Sequence, residues 1–161
     1  MGGSPLQGDR EMSDELLEVQ VVGVGQDLRG NEFVLLRDRY ERQLPIWIGR
    51  CEAWAIYMRM EQHEVPRPMT HDLLLNVIRR MGGEVQQLLI DDLWQNTFYA
   101  KICVAKNGEI LEIDCRPSDG IAVAIRAEAP IMVADSVMEE GRWREPEETD
   151  EEDQGEDEID V

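Results

Sequence analysis

Residues 97–126 read TFYAKICVAKNGEILEIDCRPSDGIAVAIR, and the Asn107-Gly108 pair within them decides the fold. Asn-Gly between two alternating segments is the strongest short signal for a two-residue type I′ turn, because both turn positions need positive φ. With the turn centred there, Ile102 faces Ile113 and Val104 faces Leu111 on one side of a sheet. Lys101 faces Asp114 and Cys103 faces Glu112 on the other. After Asp114 the chain turns into a helix, with Pro117 suited to its first position and Ile121, Ala122, Ala124 and Ile125 packing it. Pro130 ends that helix and residues 131–134 form a short strand. The 16 residues from Cys115 to Pro130 suffice for a right-handed helical crossover between parallel neighbours.

Upstream, residues 85–93 read as the strand that precedes this hairpin, across a loop at Trp94-Gln95-Asn96. Three further strands open the domain. Residues 17–21 alternate with the period of a half-buried strand, residues 33–36 form a second apolar run, and residues 44–48 a third. Pro45 in the last suggests an edge position or a strand start, and a meander is the simple arrangement. A helix over 50–62 follows, with Ala53, Ile56, Tyr57 and Met60 on one side. The next helix has Thr70 as N-cap and Asp72 in its first turn. Its buried stripe is expected from Leu73, Leu74, Val77, Ile78 and Met81, with Gly82-Gly83 as the stop. The reading is a single α+β domain over 16–141, with a mixed, largely antiparallel sheet and three main helices in the order βββααβββαβ. A loose leader (1–15) and a disordered acidic tail (142–161) are expected around it.

Of the chain's 161 residues, 35 are acidic and 16 basic, a formal charge of −19. Eleven of the acids and none of the bases lie from residue 145 onward, which leaves −8 on residues 1–144. That sign disfavours nucleic-acid binding by a broad basic surface; such a substrate needs a local basic site or a bridging cation. No apolar run reaches the ~18 residues of a membrane helix, and no secretory signal is visible at the N-terminus. Three cysteines (Cys51, Cys103, Cys115) without Cys-x-x-Cys spacing fit a reducing, cytoplasmic setting. Cys51 and Cys115 lie near helix starts but have no evident partner base. His63 reads as a solvated helix end, and Trp47, Trp54 and Trp94 as core or dimer-contact residues rather than base-stacking platforms.

Chemistry concentrates in RPMTHD (67–72) and DCRPSD (114–119), each running Arg-Pro, then hydroxyl, then Asp at a helix start. Arg67 and Arg116 supply forked donors for phosphate oxygens beside helix N-termini. Thr70 and Ser118 would position them. His71 is the candidate proton-transfer group at neutral pH, and Asp72 and Asp119 complete the catalytic set. Asp72, Asp119 and Asp114 could together hold a hard divalent cation such as Mg²⁺ or Mn²⁺. Metal-assisted phosphodiester hydrolysis fits that inventory. The competing reading is a non-catalytic, dimeric interaction or regulatory domain. In it Arg67 pairs with Asp119 and Arg116 with Asp72, merely welding two helix starts together.

Four segments in order, LPIWIGRCEAWAI (44–56), RPMTHDLL (67–74), FYAKI (98–102) and DCRPSDGIAVAIR (114–126), resemble the bifunctional nuclease domain. The likeness runs from about Leu17 to Met138. It implies an α+β fold, homodimers, and the activity on RNA and DNA reported for plant members. Two positions depart from the family pattern, which usually has Ala at both: Gly120 and Cys115. The acidic tail also lies outside that pattern.

Overall fold

A computed structural model describes residues 14–146; all but two residues of the leader expected over 1–15, and residues 147–161 of the tail expected over 142–161, lie outside it. Three antiparallel strands come first: β1 (Leu16–Gln26), β2 (Glu32–Arg37) and β3 (Gln43–Trp47). In the β1–β2 turn the Asp27 carboxylate accepts from the N–H groups of Arg29 and Asn31, both at 2.9 Å. Two helices follow, α1 (Arg50–Met60) and α2 (Thr70–Arg80). Then come β4 (Glu84–Trp94), β5 (Thr97–Lys106), β6 (Glu109–Cys115), α3 (Pro117–Ala127), β7 (Ile131–Ala134) and a short α4 (Asp135–Gly141). The expected order holds, with α4 added at its end. Seven residues are too few for a helical period to declare itself in sequence.

The β5–β6 hairpin has the register anticipated from Asn107-Gly108, with Ile102 opposite Ile113 and Lys101 opposite Asp114. The seven strands lie in the order β3-β2-β1-β7-β4-β5-β6, so Pro45 does sit on an edge strand. The crossover through α3 departs from expectation. β7 runs parallel to β4 and antiparallel to β1, separated from β6 by β4 and β5. The returning strand passes over two neighbours to fill the gap beside β1, where Val133 pairs with Leu17 and Ile90. The core lies at this seam and under α1 and α3, around Val34, Leu36, Ile56, Leu88, Ile90, Ile121 and Val133, all fully buried.

Helix α2 corrects the sequence reading twice. Its N-cap is Met69, not Thr70, because the Asp72 carboxylate accepts from the Met69 N–H at 2.9 Å and fixes the helix start one residue earlier. Its expected buried stripe is largely exposed: Leu73, Leu74, Val77 and Met81 face outward, and only His71 and Leu75 are buried. The helix leans on α3 rather than lying flat on the sheet, so amphipathic spacing marks an apolar face without naming what covers it. Trp47, Trp54 and Trp94 are likewise exposed rather than core.

Hydrogen bonds hold both ends of the described segment. Asp14 accepts hydrogen bonds from the backbone and hydroxyl of Ser136, meeting the free N–H groups at the start of α4. The Trp143 N–H donates to the Gln43 carbonyl at 2.7 Å. Arg42, from the β2–β3 turn, bonds the buried Asp38 at 2.7 Å and Asp135 at 2.8 Å, tying that turn to α4.

Candidate functional site

The starts of α2 and α3 meet. His71, in the first turn of α2, places Nε2 2.8 Å from Asp119 Oδ1 in the first turn of α3. The second oxygen of Asp119 accepts from Arg116 Nε at 2.8 Å, and Arg116 Nη2 reaches Glu52 of α1 at 2.7 Å. The two Arg-Pro motifs therefore converge, with a third helix start contributing Glu52. Arg116 is 66% exposed at its side chain, whereas His71 is only 8% exposed as a residue. The imidazole is sheltered behind a carboxylate that a solvent-facing guanidinium shares.

Each member is fixed by local sequence. Pro117 sets the first turn of α3 and Arg116 is its N-cap, so Ser118 is buried and Asp119 points back at the helix start. Gly49 is the N-cap of α1, and a Cβ there would sit 2.4 Å from Glu52 Oε2. A side chain there would make the Glu52 carboxylate shift. Gly120 plays a similar part beneath α3. A Cβ there would fall 2.4 Å from Leu88 Cδ1 and 3.0 Å from Cys115 Sγ, so its absence lets the helix approach the sheet.

Asp72 does something different from Asp119. Its Oδ2 accepts from the Met69 N–H, and its Oδ1 accepts from Arg126 Nε at 2.7 Å. Arg126 also donates to the carbonyls of Ala122, at 2.8 Å, and Ala55, at 3.0 Å, and its side chain is 6% exposed. One guanidinium thus binds all three helices. The cross-pairs expected from sequence are replaced: Arg116 serves the Asp of its own motif, and Asp72 takes Arg126. Arg67 and Thr70 are exposed ahead of and at the start of α2, and Arg67 enters no ion pair among the described residues.

Electrostatics follow the contacts. Burial pushes the Asp119 carboxyl up, but the hydrogen bonds from His71 and Arg116 outweigh it and hold the pKa below the usual carboxylate value. Burial likewise opposes ionisation of Asp72, and the Met69 N–H with Arg126 again prevails, leaving it lowered. Asp119 and Glu52 raise Arg116 further above its ordinary value. Cys115 is pushed up to about 11, chiefly by burial and then by Asp114 and Asp119, so it is no thiolate at neutral pH.

The expected cation set does not assemble as arranged. Asp114 lies on β6 opposite Lys101, on the face of the strand away from Ile113. The oxygens of Asp72 and Asp119 already accept from Arg126, Met69, His71 and Arg116. Among the described residues no group of three or more His, Cys, Asp or Glu side chains converges where an ion could sit.

Sequence reasoning missed Glu52 as a partner and Arg126 altogether. Arg126 carried a signal: it is the single basic residue of α3, in a last turn that follows a run of Ile, Ala and Val. A cation on so apolar an element needs a buried acceptor.

Against known proteins, the model of the bifunctional nuclease domain matches residues 34–145. An uncharacterised protein of Mycobacterium tuberculosis (strain ATCC 25618 / H37Rv) is 39% identical over 137 residues, covering 84% of this chain and 82% of its own. Bifunctional nuclease 1 of Oryza sativa subsp. japonica is 27% identical over 101 residues, covering 61% of this chain and 30% of its own length. Bifunctional nuclease 1 of Arabidopsis thaliana is 27% identical over 93 residues, with 56% and 29% covered.

Proposed function

The chain belongs to the bifunctional nuclease domain family, and on that basis we propose that it hydrolyses phosphodiester bonds of RNA and DNA at the junction of α1, α2 and α3. The observation that carries the reading is the 2.8 Å pair of His71 Nε2 and Asp119 Oδ1, with exposed Arg116 on the same carboxylate. An ionised Asp119 accepts the Nε2 proton and so leaves Nδ1 as the acceptor nitrogen of His71. Nδ1 takes a proton from the attacking water as its oxygen bonds phosphorus, the phosphorus–oxygen bond to the sugar breaks, and the departing sugar oxygen takes its proton from solvent water. Arg116 has Nε and Nη2 committed to Asp119 and Glu52, and it offers Nη1 to a non-bridging phosphate oxygen. Ser118 and Thr70 flank this point at the two helix starts. Asp72 acts as a positioning residue, holding the start of α2 through Met69 and Arg126. No step uses a 2′-hydroxyl, which agrees with action on both nucleic acids.

No step is routed through Mg²⁺ or Mn²⁺. If the cluster works as arranged, EDTA leaves cleavage unchanged. Loss on chelation, with recovery on adding either ion, would mean that a cation displaces an arginine from these carboxylates. The defining experiment gives purified full-length protein labelled single-stranded RNA and DNA. His71→Ala and Asp119→Asn are expected to lower the rate about 100-fold or more while circular dichroism stays native. Cleavage that survives both substitutions, or none by the unaltered protein, would sink the hydrolase reading. The non-catalytic interaction domain would then stand in its place.

The partner we assign besides nucleic acid is a second copy of the chain. Gly83 lies between Ile78 of α2 and Val104 of β5, whose cross-strand partner is Leu111. Leu74, Val77 and Met81 of α2 are exposed, and so are Leu111 and Ile113 of the edge strand β6. An apolar edge strand with free backbone groups pairs readily with an identical strand across a two-fold axis. No described helix is long and apolar enough to cross a membrane; a cytoplasmic setting is part of the same reading.

A further inference from the structure

Resting on that hydrolase reading, we infer that the cleft beside Arg116 is a nucleobase subsite that admits one unpaired base, making single-stranded nucleic acid the substrate class. The cleft has a volume of about 480 Å³ and is lined by Asn31, Trp47, Gly49, Asn96, Arg116 and Ser118, among others. That is within the size range of small-molecule sites, about 300–1,000 Å³. Its walls come from the β1–β2 turn, the end of β3, the β4–β5 turn and the start of α3. Arg116 and Ser118 belong to this cleft and to the catalytic cluster at once. A ligand seated here has its polar end at the shared guanidinium.

Trp47 is the platform. It is 52% exposed at the end of edge strand β3, yet it is held from behind. Its Nε1 donates to Asp27 Oδ2 at 3.2 Å, and its ring meets Phe33 at 5.8 Å between centroids. Asp27 is in turn fastened by the N–H groups of Arg29 and Asn31. An indole that is solvent-facing and already immobilised offers a π-face without further ordering, and stacking on it tolerates any base. The Asn96 amide supplies both donor and acceptor for a base edge, and Asn31, whose Nδ2 donates to Asp27 Oδ2 at 3.1 Å, supplies its Oδ1 as an acceptor. Asn96 is held by the tight β4–β5 turn, with φ 61°. Glu32, which also lines the cleft, has its carboxylate 3.6 Å from Arg50, which offsets its repulsion of phosphate. A duplex would have to expel a base from its stack to enter.

The test measures binding of AMP and of dTMP to the full-length protein by calorimetry, and KM for a labelled oligonucleotide as single strand and as duplex. Trp47→Ala is expected to weaken both mononucleotides about ten-fold or more and to raise KM. Trp47→Phe should stay within about three-fold, and inorganic phosphate should bind both variants as it binds the unaltered protein. Single strand should be cut at least about ten-fold better than duplex. A folded Trp47→Ala protein with unchanged mononucleotide affinity and KM, or equal cleavage of duplex, would overturn the subsite while leaving the hydrolase intact. Trp47-dependent binding without any cleavage would uphold the subsite and sink the hydrolase.

Discussion

Replacing Gly120 by Ala isolates how closely α3 approaches the sheet, because the added methyl has nowhere to go. It would lie 2.4 Å from Cδ1 of the fully buried Leu88 and 3.0 Å from Cys115 Sγ. Overpacking of this kind costs about 1–3 kcal/mol, and exchanging Gly for Ala inside a helix returns about 1 kcal/mol. The single variant is therefore expected to lose about 1 kcal/mol in urea unfolding. Cys115→Ala alone removes a half-buried sulfur and should cost about 1 kcal/mol. Combined, the two changes fit each other: the space left by sulfur lets Leu88 shift and the new methyl settle. The double variant should be at least about 0.5 kcal/mol more stable than the sum of its parts, the signature of sites in contact. It also carries Ala at both positions where the family pattern usually has it. Simple additivity within about 0.3 kcal/mol would show that Cys115 and Gly120 do not share this space.

Arg126→Met removes a guanidinium that satisfies Asp72 and two helix carbonyls. It should cost about 3 kcal/mol in urea unfolding, the lower end for a broken buried pair because Asp72 is partly exposed; a loss under about 1 kcal/mol would remove Arg126 as the link between the helices. The lowered carboxyls of Asp72 and Asp119 contribute stability that is complete above the ordinary carboxylate pKa and is lost as pH falls through their depressed folded values. Tm should hold from pH 7 to about 5 and drop below about pH 4, less steeply in an Asp72→Asn/Asp119→Asn double variant; a drop centred between pH 5 and 7 would contradict this. Light scattering should give twice the chain mass for the unaltered protein and a monomer for Val77→Glu. An unaltered protein that is monomeric at tens of micromolar would dismiss the α2–β6 contact.

How much of this was legible depended on how local the cause was. The β5–β6 register followed from Asn107-Gly108 because a two-residue turn fixes pairing by geometry alone. Pro117 gave the start of α3 for a similar reason: its missing N–H costs nothing at a first helical position. The apolar period of α2 was readable, yet its burial was not, since Leu74 and Val77 present the same spacing whether or not another element covers them. The meeting of His71 with Asp119 spans 48 residues and depends on how α2 leans against α3. Nothing in either motif specifies that angle. Trp47 reads from sequence as core or dimer contact, and its place at the exposed end of an edge strand excludes the first, because composition reports that a ring is large and apolar and not where it sits.

β7 joins two halves that otherwise never touch through backbone pairing: β1 on one side and β4 on the other. Among the described strands, the one made last is the one that closes the middle. Until it arrives, a nascent chain holds two open half-sheets, each with a raw inner border.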